Sequence, residues 1–253
     1  MFIYERQHKI LQILEKSPSV RVSDLSVSLG VSEATVRRDL DKLHEVGQIR
    51  RIHGGAVLAE RITPEAPVIQ RTTENIEEKR RIGKLAASLV KEGETIFIGS
   101  GSTTQEVARN LIGRQNITVI TNSMPVINLL SQEEGISLIA TGGFMRSSEL
   151  SLIGHLTELV LRELHPQKVI MGIRAISLAE GLTNDYLPEV STDRVIIQSA
   201  PEVILVIDHT KFGTVSTALV AHISAIHTLV TDSGIGADLL VSLRGIIKSV
   251  LLA

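Results

Sequence analysis

Along the first third of the chain, apolar residues recur at helical spacing. Ile10, Ile13 and Leu14 stand at i, i+3 and i+4, with Gln7, Lys9, Gln12 and Glu15 off the stripe. This predicts a helix over 5–15, stopped by Ser17-Pro18-Ser19. Val22, Leu25 and Leu29 make a second stripe over 22–29 that ends at Gly30, a residue suited to a left-handed cap. Ser32 offers an N-cap oxygen, and Val36, Leu40 and Leu43 form one seam of a third helix running to about Glu45, before Gly47. Residues 48–57 then alternate around Gly54-Gly55, the pattern of a β-hairpin.

After about residue 75 the pattern changes. A helix over 75–90 leads into short apolar runs at 95–99, 117–121, 136–140, 168–173, 203–207 and 227–231. Amphipathic stretches at 103–112, 124–131, 155–163, 190–199 and 236–244 separate most of them. Runs such as Val203-Ile204-Leu205-Val206-Ile207 suit strands buried on both faces, so an α/β domain with a mostly parallel sheet is expected. Residues 58–75, with Pro64 and Pro67, lack a clear period. The expected organisation is therefore a small helical domain over 1–57, a linker over 58–75 and an α/β domain over 76–253.

Composition narrows the function classes. In 253 residues there is no Cys, which excludes thiol nucleophiles, disulfides and thiolate metal sites. The charges at Glu5, Arg6, Lys9, Glu15 and Lys16 spoil a signal peptide, and no apolar run approaches the ~20 residues of a membrane span. A soluble cytoplasmic protein with no membrane partner is expected. The net charge of −2 does not advertise a nucleic-acid partner, although the first 56 residues hold nine Lys and Arg against seven Asp and Glu. Four Phe and two Tyr are too few for a base-stacking surface.

The order helix, Gly turn, helix, basic hairpin carries more than charge does. The third helix presents Ser32, Glu33, Thr35, Arg37 and Arg38 at its start, where a recognition helix meets base edges in a major groove. Arg50, Arg51 and His53 give the hairpin a cationic wing. Taken alone, Arg37-Arg38 reads as a solvated surface pair. Asp39 reads as an acid that orients Arg38 or caps locally. The segment Glu5–Val57 resembles the winged helix-turn-helix of the DeoR family of bacterial transcription regulators, through Arg6, Ile10, Leu11, Leu25, Gly30-Val31-Ser32, Thr35-Val36-Arg37-Arg38-Asp39-Leu40, Leu43, Gly47, Arg51 and Gly54-Gly55-Ala56. The resemblance implies that residues 20–39 form the helix-turn-helix. Arg71, Lys79, Ile82 and Ala86 fit the same family pattern.

In the α/β domain the ends of the strands attract attention, because such sheets bind ligands there. Gly99-Ser100-Gly101-Ser102-Thr103-Thr104 precedes a helix; glycines admit a ligand to the backbone, hydroxyls donate, and free helix-start amides favour an anion. A capped strand-to-helix turn accounts for the loop equally well, and it is neither a Walker loop nor a dinucleotide fingerprint. Thr121-Asn122-Ser123, Thr141-Gly142-Gly143 and Asp208–Gly213 follow other strands; Lys211 adds a mobile cation, and Asp208 an acceptor for a sugar hydroxyl. Asn184–Glu189 is a polar loop that lines a ligand mouth or caps a helix.

This half is similar to the DeoR-type effector domain, through Ser100–Thr104, Thr121-Asn122-Ser123, Gly142-Gly143, Gly181-Leu182-Thr183 and Asp208–Gly213. The resemblance implies a fold like that of ribose-5-phosphate isomerase and a phosphorylated sugar or related metabolite as effector. Many relatives carry an acid where this chain reads Gly172-Ile173-Arg174-Ala175; Arg174 is a surface cation, the partner of a nearby carboxylate, or a contact for a second anionic group on the ligand.

The effector residues expected are thus Ser100, Gly101, Ser102, Thr103, Thr104, Asn122, Ser123, Gly142, Gly143, Arg174, Asp208 and Lys211. No cofactor is expected, and His222 and His227 lack metal-ligand spacing. No Gly-x-Ser-x-Gly elbow supports a hydrolase. The resulting expectation is a repressor of a carbohydrate-metabolism operon, binding double-stranded operator DNA as a homodimer or homotetramer. Two alternatives are a sugar-phosphate isomerase, for which the Asp-Gly-Ala-Asp segment of that enzyme family is missing, and a protein-interaction module.

Overall fold

A computed structural model describes residues 3–16, 19–45, 49–52, 54–58 and 65–253. The chain divides into two compact units, Met1–Pro64 and Glu65–Ala253. Residues 17–18, 46–48 and 53 lie outside the described residues, and with them Pro18, Gly47 and His53.

The first unit runs α1 (Ile3–Lys16), β1 (Val20–Arg21), α2 (Val22–Leu29), α3 (Glu33–Glu45), β2 (Ile49–Ile52) and β3 (Gly55–Leu58). Its core is the set of apolar seams expected from periodicity. Ile10, Leu14, Val22, Leu25, Val36, Leu40, Leu43, Ile49 and Ala56 are all buried together. Gly30 sits at φ 66°, and the left-handed turn lets the Val31 amide donate to the Ser26 carbonyl at 3.2 Å. Strands β2 and β3 pair antiparallel in the register Ile49↔Leu58 to Ile52↔Gly55. The short β1 adds to β3 through Val20↔Ala56, a third strand that the hairpin pattern alone does not reveal. The result is a winged helix-turn-helix.

The second unit starts with α4 (Val68–Arg71) and α5 (Ile76–Ser88), followed by β4 (Thr95–Ile98), α6 (Ser102–Arg109), β5 (Ile117–Thr121), α7 (Met124–Leu130) and β6 (Ile136–Ala140). It continues through β7 (Phe144–Arg146), β8 (Ser151–Ile153), α8 (His155–Glu163), β9 (Lys168–Met171), β10 (Ala175–Ser177), β11 (Gly181–Asn184) and α9 (Leu187–Gln198). Last come β12 (Glu202–Val206), β13 (Ala218–Ala221), β14 (Thr228–Thr231), α10 (Ala237–Arg244) and β15 (Ser249–Leu252). Residues 65–75, expected to be part of a linker, belong to this unit. They hold α4, and the Val68 amide donates to the Ser148 carbonyl at 2.8 Å.

Seven strands form one sheet in the order β15-β14-β12-β9-β4-β5-β6, and every neighbouring pair is parallel. Alternate residues serve opposite faces. Phe97, Val169, Met171, Leu205 and Leu229 pack into one core, whereas Ile96, Ile98, Ile170, Ile204, Val206 and Val230 pack into the other. The six strands expected from apolar runs are all present, and β15 extends the sheet. Two small antiparallel sheets, β7-β8 and β10-β11-β13, lie outside it and are not foreseen by the run pattern.

The order places the topological switch between β4 and β9. From β4 the chain winds outward through β5 and β6; from β9 it winds the other way through β12, β14 and β15. A crevice forms where the loops leaving two adjacent strands diverge, and this is where sheets of this class hold ligands.

Candidate functional site

In the first unit, α3 carries Glu33, Thr35, Arg37 and Arg38 of the residues expected to meet DNA. Ser32 caps it: its Oγ accepts from the Thr35 amide at 3.3 Å and lies 2.9 Å from Thr35 Oγ1. Arg37 and Glu33 form an exposed i, i+4 pair at 2.8 Å. Arg38 is exposed. Arg51 lies against the same helix, donating to the Arg37 carbonyl at 3.2 Å and pairing with Asp41. Arg50 is placed on β2 by its backbone, and His53 lies outside the described residues.

Asp39 does not orient Arg38, contrary to the sequence reading. It is buried beneath α3, where Arg6 of α1 donates to it through two nitrogens, one of them at 3.1 Å. The single-residue step from Arg38, a rotation of about 100°, carries Asp39 to the inner side while Arg38 stays outside. The carboxylate raises the pKa of the Arg6 guanidinium, principally through the hydrogen bond. Two helices that already share an apolar core are thus also tied by a forked ion pair.

The second unit has a pocket at the β4/β9 switch, enclosing about 680 Å³ that is partly open to solvent. Three strand exits build it: Gly99–Thr104 after β4, Met171–Arg174 from the end of β9 onward, and Val206, Ile207 and Lys211 after β12. Gly101 precedes α6, and Ser102, Thr103 and Thr104 form its first turn, where backbone amides lack intrahelical acceptors. Thr104 Oγ1 donates back to the Gly101 carbonyl at 2.9 Å. The loop therefore presents helix-start amides together with the Ser and Thr side chains to the pocket.

Of the twelve expected effector residues, Ser100, Gly101, Ser102, Thr103, Thr104, Arg174 and Lys211 line this pocket. Asn122, Ser123, Gly142, Gly143 and Asp208 are not among its lining residues. Their side chains and backbone are engaged elsewhere. Asn122 donates to the Leu152 carbonyl at 3.1 Å, and Ser123 caps α7. Gly143 has φ 123°, and a Cβ there would stand 2.1 Å from Thr157 Oγ1, whose hydroxyl donates to the Gly142 carbonyl at 2.7 Å. Asp208 caps the turn 209–211 through the Thr210 amide at 3.0 Å. Asn122, Ser123, Gly142 and Gly143 follow β5 and β6, on the outer side of β4 from the switch, whereas Asp208 follows β12 beside the pocket but has its carboxylate turned to Thr210.

Sequence reasoning assigned no effector role to Glu65, Arg71, Glu149, Asp193 or Ile196; these complete the lining together with Asn184 and Glu189, whose loop was expected to line a ligand mouth or cap a helix. Arg71 is buried and donates to the Ala66 carbonyl at 2.8 Å, to Glu65 at 2.9 Å and to Glu149. Lys79 braces this region from α5 by donating to the carbonyls of Arg71 and Glu74, each at 2.6 Å. Its burial lowers its pKa, against a pull upward from Asp208.

The same pocket is also lined by a group of acids and an amide. Asn184 donates to Glu189 at 3.2 Å and to Asp193 at 2.9 Å. Ser151 donates to Glu189 at 3.0 Å, and Arg146 pairs with Glu189 while lying over the Tyr186 ring. Burial raises the pKa of Asp193 well above the ordinary carboxyl range, reinforced by Glu189. Burial also raises that of Glu149, against the pull of Arg71. Among the described residues, Glu149 Oε1 is one of the buried polar atoms without a partner. A ligand hydroxyl fits such an atom. No group of His, Asp and Glu among the described residues could hold a metal ion, and none of the helices described is long and apolar enough to cross a membrane.

The two halves match known families. Residues 6–61 match the DeoR-like helix-turn-helix domain, and residues 74–233 match the DeoR C terminal sensor domain. The chain is 35% identical over 239 residues to the HTH-type transcriptional regulator GolR of Listeria innocua, covering 94% of each. It is 35% identical over 231 residues to the transcriptional repressor AccR of Agrobacterium fabrum, covering 91% of this chain and 90% of that one. Over 229 residues it is 33% identical to the glycerol-3-phosphate regulon repressor of Escherichia coli, covering 90% of each. Among solved structures, ribose 5-phosphate isomerase A of Methanocaldococcus jannaschii overlaps 55% of each chain at a TM-score of 0.42 and 21% identity. The fold and site define a DNA-binding regulator joined to a small-molecule sensor. The chain belongs to the DeoR family of transcriptional regulators and is not an enzyme.

Proposed function

We propose that this regulator represses a carbohydrate-metabolism operon and is controlled by a phosphorylated sugar or a related anionic metabolite held at the β4/β9 switch. One observation carries the reading. The Ser100–Thr104 loop at the start of α6 shares a pocket with Arg71, Arg174 and Lys211 and with Glu149, Asn184 and Asp193. The first set suits a phosphoryl group and the second suits hydroxyls, so the pocket offers both kinds of partner that a sugar phosphate needs. The naming of relatives for glycerol-3-phosphate and lactose phosphotransferase regulation supports the same class of signal.

The first unit holds double-stranded operator DNA through α3 and the wing. Arg37 and Arg38 read bases, assisted by Ser32, Glu33 and Thr35, while Arg50, Arg51 and His53 contact phosphates. The ion pair at Arg37 is exposed and worth little, so DNA can take over the guanidinium. A homodimer or homotetramer supplies the second head that operator recognition needs. A hundredfold change in operator affinity requires about 2.7 kcal/mol of coupling, which a few charge-assisted hydrogen bonds present in one state can supply.

A thermal-shift screen of phosphorylated sugars and sugar acids, followed by operator release with the hits, tests the reading. Stabilisation by a sugar phosphate that Lys211→Ala and Thr103→Val both abolish is the expected result, with ligand-free operator binding retained. A panel in which no sugar phosphate shifts the protein or its operator affinity refutes it.

A further inference from the structure

The cations of the pocket already hold a carboxylate that belongs to the chain itself. Glu65 Oε1 lies 2.9 Å from Arg71 Nη1, 2.5 Å from Lys211 Nζ and 3.6 Å from Arg174 Nη1, and its side chain is only 10% exposed. Arg71 also meets Glu149, and Arg174 also meets Asp185 at 3.7 Å, so Glu65 is the acid common to all three cations. The cations come from three separate places: α4, the segment after β9 and the turn after β12. Converging on one oxygen, they form a ready-made anion position, with Glu149 and Asp185 as further counter-charges at its sides. A phosphoryl group, with up to two negative charges and three acceptor oxygens, matches the three cations.

Resting on the pocket reading above, we propose that Glu65 is an internal competitor that occupies the anion position and sets the specificity of the site. A ligand must displace it to reach Arg71, Arg174 and Lys211. Tethered within the same unit, this carboxylate competes at an effective concentration on the order of millimolar or above. A free monocarboxylate offers the cations nothing that Glu65 does not already offer. A phosphoryl dianion offers a second charge, so the site selects phosphorylated ligands over simple sugar acids. Glu65 is bonded directly to Pro64, the last residue of the DNA-binding unit.

The test uses the full-length protein, with inorganic phosphate and acetate as probes in calorimetric titrations. Glu65→Gln keeps the shape and removes the charge. It is expected to bind phosphate at least tenfold more tightly than the unaltered chain and to acquire acetate binding. Lys211→Met is expected to lose phosphate binding. If Glu65→Gln binds phosphate equally or more weakly while Lys211→Met loses it, the competitor role is overturned and the pocket stands. If phosphate binding is missing from all three proteins, or indifferent to both substitutions, the pocket reading falls and the competitor role falls with it. Should Glu65→Gln lack a cooperative thermal transition, Glu65→Asp decides. Its carboxylate is one methylene too short to serve all three cations, so an intermediate gain supports the proposal and no gain refutes it.

Discussion

The forked pair between Arg6 and Asp39 makes a quantitative prediction about how the recognition helix is held. Asp39 is 1% exposed, and the Arg6 side chain 13%. Removing one partner of a buried pair costs about 3–5 kcal/mol, because the remaining charge stays desolvated. An exposed pair is worth at most about 1 kcal/mol. The partly open guanidinium places Arg6→Met between these limits, at about 2–3 kcal/mol, nearly all of it the penalty of leaving Asp39 alone. Asp39→Asn removes the buried charge and keeps an acceptor, so it costs less, about 1–2 kcal/mol on the scale of hydrogen bonds to charged groups. The double variant is expected to be less unstable than the sum of the two singles, by about 1 kcal/mol or more. Native-state hydrogen exchange on the full-length chain, followed at the amides of α3, reads these values where they act. Additive effects, each below about 0.5 kcal/mol, would show that the pair is not what fixes α3 to α1.

Other outcomes follow from the same geometry. Arg51→Ala is expected to lower the logarithmic salt slope of operator binding by about 0.9 on every DNA sequence, whereas Arg37→Ala relaxes base preference; an unchanged slope removes Arg51 from the phosphate contacts. Because Asp193 holds its proton more tightly when folded than when unfolded, its contribution is fully present below the ordinary carboxyl range and is lost as pH rises through its elevated folded value. Asp193→Asn should therefore raise Tm at neutral pH and flatten the dependence of Tm on pH, while a steeper dependence in the variant would reverse this assignment. Gly143→Ala brings a Cβ to 2.1 Å from Thr157 Oγ1 at a backbone angle that alanine resists. A loss of about 2 kcal/mol or more in denaturant unfolding is expected; an unaffected midpoint would show that the β7–β8 region yields easily.

The parts of the fold that could be read from sequence were those where one period governs a long segment. Helices α1 to α3 bury one seam each, and the central strands bury both faces, so Val203–Ile207 reads as a strand without knowledge of its neighbours. Strands β7, β8, β10 and β11 are three or four residues long, and β10 and β11 pair with each other through only three residues apiece. Such segments carry no period, and their assignment depends on partners distant in sequence. The pocket divides in the same way. Ser100–Thr104 was legible because a Gly/Ser/Thr loop joins a strand to a helix in one contiguous stretch. Glu65, Arg71 and Glu149 were not, since only the folded chain brings 65, 71 and 149 together. At Gly142-Gly143 the sequence leaves two readings, because glycine at a strand end also serves close packing, here against Thr157.

The position of the crevice at the β4/β9 divergence has a consequence for descent. Residues 172–174 leave the end of β9, the central strand, whose neighbours on either side are cemented by two independent aliphatic layers. Exchanges there can redraw which nutrient is sensed while the scaffold keeps its register. A lineage of such proteins can thus diversify its metabolic vocabulary through a handful of codons at one seam, leaving the grip on DNA to change on its own schedule.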